Sequence, residues 1–497
     1  MTRTPEASAG AAVGALVFFE LTSGFLQIGI TPLLPELTAH LGIDAADASW
    51  IISVQLLAAA VCVPLLGRLG DLYGHRRVLR AALALIAVGS LVVALADSLP
   101  VLLAGRLLQG PIAALLPLEM ALARDRLPVA GARRAIARLV GSLALGTLLG
   151  GVSTGLIHSA TGSLRLTLLV PALLAAACVT VAFLAVPESS RRAGGRVDWP
   201  GVALLGAAVT ALLAGVGGAK DGAWGSAAVI GPLLAGGLLL AGWAAVELRT
   251  AEPLVDLRAM AGRDVAPVYL AALPFGVFYF GSQAPNATFL AADPATTGYG
   301  FALSALAIAL VSLPGHLAAV LGSFATAAVA ARIGYRTTLL AAFAMVAAAF
   351  LQFALVHDAV WQFAAGSVLL GLGVGLSLGA MPTVIVEASD PTRTGVAAAL
   401  YNNVKTLGGA VAGGAFAALL GSFVRPATGQ PDEAGYRAVW LVGALCALLA
   451  VALVAATRRR TAGPAGPTAT PAGPTATPAG LPAERVDSPG SEARHGL

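Results

Sequence analysis

Charge is scarce in this sequence: 11% of its residues are Asp, Glu, Lys or Arg, against about 25% in an ordinary soluble domain. So few charges could not wrap a soluble globule of 497 residues. Cysteine is nearly missing as well. Cys62, Cys178 and Cys446 each lie within an apolar run, with no C-x-x-C pair and no metal spacing. That excludes a disulfide scaffold and a structural metal centre, and all three read as small core residues. No Walker A sequence is present, so ATP is not the expected energy source. A membrane enzyme or sensor would need a catalytic constellation or a stretch of soluble composition, and neither is found. No catalytic residue, metal or organic cofactor is expected.

Apolar residues are abundant: the chain is 58% hydrophobic with a mean hydropathy of +0.85. A soluble core cannot absorb that much apolar surface, so lipid must solvate it. Runs of about 20 apolar residues, the length that crosses a bilayer, recur between short polar breaks. Fourteen are read: 11–34, 50–70, 79–97, 99–121, 138–158, 166–186, 199–217, 228–247, 266–290, 301–328, 338–356, 360–386, 395–421 and 437–457. The expected fold class is all-α, a polytopic membrane helix bundle. The first run shows no cleavage site and reads as a retained anchor.

Basic residues set the orientation. With the N-terminus inside, the inner segments receive Arg3, Arg76, Arg77, Arg80, Arg124, Arg126, Arg133, Arg134, Arg138, Arg191, Arg192, Arg196, Arg249, Arg258 and Arg263. Arg332, Arg336, Arg393, Arg458, Arg459 and Arg460 follow on the same side. The outer loops keep only Arg165, Lys220, Arg425 and Arg437. The positive-inside rule predicts this asymmetry. It puts both termini in the cytoplasm and accounts for a pI near 9.4 without nucleic acid.

The stretch Gly67-Arg68-Leu69-Gly70-Asp71-Leu72-Tyr73-Gly74-His75-Arg76-Arg77 joins two spans by a connection too short to leave the membrane surface. Its glycines let helices and a tight turn approach closely. Asp71 suits a neighbouring helix N-terminus. Arg332-Ile333-Gly334-Tyr335-Arg336 is a degenerate second copy, with Ala331 in the place of Asp71. Two six-helix repeats plus a central pair would give fourteen spans. The expected domains are 1–186, a six-helix bundle; 187–258, a two-helix insert with its linkers; and 259–460, a second six-helix bundle. Residues 461–497 repeat Ala-Gly-Pro-Thr-Ala-Thr-Pro and read as a disordered cytoplasmic tail.

The G-x-x-x-D-x-x-G-x-R-R pattern resembles the loop between the second and third helices of the major facilitator superfamily. The central helix pair resembles that family's fourteen-span drug:proton antiporter branch. By that resemblance Gly67, Asp71, Gly74, Arg76 and Arg77 form a conformational gate. Gly146-Thr147-Leu148-Leu149-Gly150-Gly151 resembles the antiporter motif G-P-x-x-G-G, with Thr147 replacing Pro, and Gly146, Gly150 and Gly151 would pack helices. Arg106-Leu107-Leu108-Gln109-Gly110 resembles the fourth-helix motif associated with proton coupling.

Glu20 lies ~14 Å along the first span at 1.5 Å per residue. A carboxylate at that depth must be paired, hydrated or protonated. It is either a proton carrier or a structural group bonded to a neighbouring helix. Arg106 stays charged and needs a partner; Glu20 lies at a compatible depth. Glu119 is read as a structural ion pair near Arg124, Arg126 and the signature loop. In the thirteenth span Asn402 and Lys405 resemble the branch's N-x-x-R/K-x-x-G-G helix and are read as cavity-lining. Phe275, Phe278, Tyr279, Phe280, Gln283 and Asn286 form a mixed face in span nine, either cavity or core. Gln55, where the family often has Tyr, and His316 are further cavity candidates.

The resemblance implies a secondary active transporter in the cell membrane. It would work as a monomer, exporting a drug-like or secondary-metabolite compound in exchange for protons. Its partners would be a small-molecule substrate, protons and the lipid bilayer, and its energy source the proton gradient. Antibiotic resistance or self-resistance would follow. The alternative is a specific metabolite or nutrient transporter of the same fold.

Overall fold

The computed structural model describes residues 5–186, 196–217, 225–250, 252–255, 257–258, 262, 265–387, 394–425 and 430–456. Residues 1–457 fall in one compact unit and 458–497 in another. The expected tail 461–497 lies outside the described residues, as do Arg3, Arg191, Arg192, Lys220, Arg263, Arg393, Arg458, Arg459 and Arg460.

Helices carry the first unit: α1 (Pro5–Ile28), α2 (Leu34–Leu41), α3 (Ala48–Tyr73), α4 (His75–Ala94), α5 (Leu99–Leu108), α6 (Ile112–Arg126), α7 (Val129–Thr161), α8 (Leu164–Ala185), α9 (Trp199–Gly217) and α10 (Ala227–Glu247). Then come α11 (Ala266–Gly281), α12 (Gln283–Ala291), α13 (Pro294–Thr297), α14 (Ala305–Ile333), α15 (Tyr335–Leu355), α16 (Val360–Glu387), α17 (Thr394–Gly421) and α18 (Glu433–Ala455). Runs rich in Ala and Leu favour helix, and in lipid a helix satisfies its own backbone polar groups. Leu173, Leu184, Leu234, Phe324, Leu355 and Trp361 all stand exposed, an apolar outer surface that suits lipid rather than water.

Twelve helices among the described residues are long and apolar enough to cross a membrane. The two other expected spans take different forms. Residues 199–217 form α9, whose described apolar stretch, Trp199–Leu212, is short. Residues 266–290 are split between α11 and α12 at Ser282. Pro285 supplies no N–H to the carbonyl of Gly281, so the ladder fails there. Similar breaks occur at Pro32 and Pro35 between α1 and α2, and at Gly110-Pro111 between α5 and α6.

The two halves repeat each other's packing. α1 packs on α7 as α11 packs on α17, α4 on α8 as α15 on α18, and α3 on α5 and α6 as α14 on α16. Between the halves α3 meets α17, and α7 meets α14. The insert pair α9 and α10 packs together, with α9 against α17 and α3.

One apolar cluster, including Phe19, Leu79, Leu118 and Leu139, stays within the first half. The other joins Leu33, Leu34, Ile51 and Leu102 of the first half to Phe275, Phe289, Leu290 and Ile308 of the second. It seals the halves together at the end that carries α2 and α12. Glu36 Oε1 accepts from Ala305 N across this seal at 3.2 Å. Beyond it, before α18, Arg425 grips both oxygens of Asp432 at 2.8 Å and holds that carboxyl below its ordinary value.

The signature stretch is less of a loop than the sequence suggests. α3 runs through Gly67 and Asp71 to Tyr73, and α4 begins at His75, so Gly74 alone lies outside helix. It has φ 100°, which a side chain would strain. Gly334, its counterpart between α14 and α15, has φ 81°. The repeat kept the turn after losing the acid.

Candidate functional site

A cavity of about 160 Å³ opens between the halves, walled by α1 and α7 on one side and by α11, α12, α14 and α16 on the other. Its polar groups are Thr31, Thr147, Tyr279, Ser282, Gln283, Asn286, Ser312, His316 and Ser367, among apolar walls such as Ile28, Leu148, Val152, Leu313, Phe363 and Leu370. Asp, Glu, Lys and Arg are absent from this lining. Several of the polar groups are held in place. Thr31 Oγ1 donates to Gln283 Oε1 at 3.4 Å, tying the two halves, and Trp440 Nε1 donates to Asn286 Oδ1 at 2.9 Å. His316 Nδ1 stands 2.9 Å from the carbonyl of Ser312.

The structure therefore brings Gln283, Tyr279, Asn286 and His316 together, while Gln55, Asn402 and Lys405 do not line this cavity. Phe278 is a correction. It is fully buried and meets Phe275, Phe343 and Phe350 at ring distances of 5.2, 6.3 and 6.0 Å. Five aromatic residues in one apolar helix leave the cavity face undetermined, and the packing of α15 decides it. Lys405 Nζ lies 5.6 Å from the ring of Tyr401, one turn earlier on α17.

Thr31, Ser282, Ser312 and Ser367 are lining residues that the sequence did not single out. Their only signal was a small polar side chain inside an apolar span. Thr147 also lines the cavity, with its hydroxyl bonded back to the carbonyl of Ala144 at 2.7 Å.

The glycine motif divides between two tasks. A Cβ on Gly146 would strike the carbonyl oxygen of Leu21, and one on Gly150 would lie 2.5 Å from that of Phe25. These two glycines bring α7 against the α1 backbone. Gly151 differs: its nearest neighbour would be Ile28 Cγ2 at 3.7 Å, and it faces the cavity.

At the gate stretch, Asp71 Oδ1 sits 3.3 Å from His75 Nε2, at the first residue of α4. Arg68 donates to Glu252 Oε2 at 2.5 Å, and the same oxygen accepts from Arg196 N at 2.9 Å. The stretch is thereby tied to both linkers of the insert. Arg77 is exposed, and nothing lies within 4 Å of a Cβ built on Gly67.

Glu20 and Arg106 are both buried but are not each other's hydrogen-bond partners. Arg106 donates from Nε to the carbonyl of Ile51 at 2.8 Å and from an η-nitrogen to Gln109 Oε1 at 2.7 Å. Gln109 Nε2 in turn donates to Ser90 Oγ at 2.9 Å. Glu20 lies beside Glu119, and neither oxygen of Glu119 has a hydrogen-bond donor among the described residues, the signature stretch included. The break at Gly110-Pro111 is the reason: a helical rotation counted from Arg106 to Glu119 does not carry across it.

The Major Facilitator Superfamily profile matches residues 16–413, with a second match over 272–483. An uncharacterised MFS-type transporter of Mycobacterium tuberculosis is 28% identical over 432 residues, covering 85% of this chain and 61% of the relative. The chain thus spans less than two thirds of that protein's length. The cephamycin export protein of Amycolatopsis lactamdurans is 32% identical over 449 residues, covering 86% of this chain and 87% of the relative. Among solved structures the nucleoside transporter NupG superposes with a TM-score of 0.66 at 14% identity, covering 90% of this chain and 100% of the other. That is a likeness of fold.

Proposed function

Since the chain belongs to the major facilitator superfamily, we propose that it is a secondary active exporter of a drug-like or secondary-metabolite compound, driven by proton antiport. The observation that carries this reading is the cavity between the halves: amphipathic, free of charged side chains, and sealed toward one end by the cluster around Leu33, Phe289 and Ile308. A space of that kind suits a bulky molecule bearing hydroxyl, carbonyl or amide groups on an apolar frame. Similarity to a cephamycin exporter along most of both chains supports export of an antibiotic-like compound. Rocking the two halves about this seal would present the cavity to alternate sides.

The energy source is a proton gradient acting on buried carboxyl chemistry, with no organic cofactor. Glu20 is the proton carrier, deep in α1 and shut away from solvent. The protein works as a monomer in the cell membrane with both termini in the cytoplasm. Supporting that orientation, Arg76, Arg77, Arg80, Arg332 and Arg336 lie close in sequence to Gly74 and Gly334, while among the described residues Arg165, Arg425 and Arg437 lie on the connections toward the sealed end.

Two measurements test the reading. Deleting the gene should sensitise cells several-fold to more than one unrelated compound; a single affected metabolite would favour a dedicated transporter instead. In proteoliposomes with an imposed proton gradient, Glu20→Gln should abolish gradient-driven transport of such a compound while folded protein stays in the membrane. Full activity in that variant would remove Glu20 from the mechanism.

A further inference from the structure

Two acids meet inside the first half. Glu20 of α1 is 1% exposed and Glu119 of α6 is 0% exposed; their chain neighbours Phe19 and Leu118 pack in one apolar cluster, and the two carboxyls lie side by side. Ionised carboxylates only accept hydrogen bonds, so this contact requires a proton on one of the two groups. Glu20 Oε2 and both Glu119 oxygens have no hydrogen-bond donor among the described residues.

The surroundings offer little to neutralise a second charge. Thr22 donates its hydroxyl to the carbonyl of Phe18 at 2.9 Å, and the thiol of Cys178, from α8, lies near Glu119 and Thr22. α7 approaches α1 through Gly146 and Gly150, backbone against backbone. His75 of α4 shares the space beside Gly70 with Leu118, one residue from Glu119, but is paired with Asp71 at 3.3 Å. Arg106 is engaged by Ile51 and Gln109.

We propose that Glu20 and Glu119 form one proton-binding pair that carries the coupling proton, and that its release is linked to separation of α1 from α6. This deepens the reading of the chain as a proton-driven exporter and rests on it. In this proposal the closed pair shares one proton: one group is the acid and the other the carboxylate. Release converts the pair to two carboxylates and a proton in water; no bond other than O–H breaks. Two adjacent like charges sealed from solvent repel each other and lose their hydration. The doubly ionised pair is therefore tolerated only when water enters between the helices. Loading a proton from the opposite side closes them again.

Glutamine separates this role from a structural one. In Glu119→Gln or Glu20→Gln the amide donates to the remaining carboxylate, so the hydrogen bond survives and the exchangeable proton does not. The measurement is infrared difference spectroscopy on the whole protein in lipid vesicles through a pH jump, following the protonated-carboxyl stretching band, with no substrate required. The wild type should show one such band; both single variants should lose it, and Glu119→Asp should retain it at a shifted position. Loss in Glu20→Gln with the band intact in Glu119→Gln overturns the pair but leaves Glu20 as a lone carrier. A band that persists in both variants overturns the pair and the proton-carrier reading together.

Discussion

Arg106 shows how a single buried side chain is held. Its fork spans two directions, a backbone carbonyl in α3 and an amide oxygen just before the break at Gly110. A lysine ammonium is a point charge without that planar geometry. Arg106→Ala should orphan Gln109 Oε1, at about 1–3 kcal/mol for a buried acceptor without its donor. We expect a lower unfolding temperature in detergent and impaired transport, only partly restored by Arg106→Lys. An alanine variant that melts with the wild type would show these bonds to be dispensable. Glu20 was legible in the sequence because a lone acid in an apolar run must have a reason. Its partner was not, because depth and rotation along α6 cannot be counted through a proline break.

Helix elements are positioned here by glycine, and the two parts of one motif should respond differently. Gly146→Val places branched carbon against the carbonyl of Leu21, backbone that cannot step aside. Overpacking costs about 1–3 kcal/mol even where side chains can yield, so little folded protein should be recovered by size-exclusion chromatography. Gly151→Ala meets only Ile28 Cγ2 at an ordinary 3.7 Å. It should fold as the wild type does while its methyl group, at the cavity wall, changes apparent substrate affinity. If Gly151→Ala fails to fold, the division of the motif between packing and lining is wrong. Gly74 and Gly334 make the same point about turns. The sequence located both, but only the backbone shows that each connection is one residue long.

At the scale of the molecule, the proposed export requires the two halves to move about their shared seal. Thr31 and Gln283 touch across it at 3.4 Å. In a variant lacking Cys62, Cys178 and Cys446, cysteines at positions 31 and 283 joined by a short thiol-reactive linker should hold that end shut. Transport should stop and protein stability should hold. Undiminished flux in the linked protein would mean that this end need not open. Cross-links within one half should leave flux unchanged.

Hydropathy alone determined that this is a lipid-embedded helix bundle, because 58% apolar composition leaves no aqueous alternative. The repeated glycine turns, with the distribution of arginine, gave the two-half plan and the family resemblance. What only the tertiary structure decided was which face of each helix looks inward. Helices apolar on every side carry no periodic mark of their buried stripe. The fates of Phe278 and Glu119 were therefore settled by neighbours far away in sequence: an aromatic helix and a second acid.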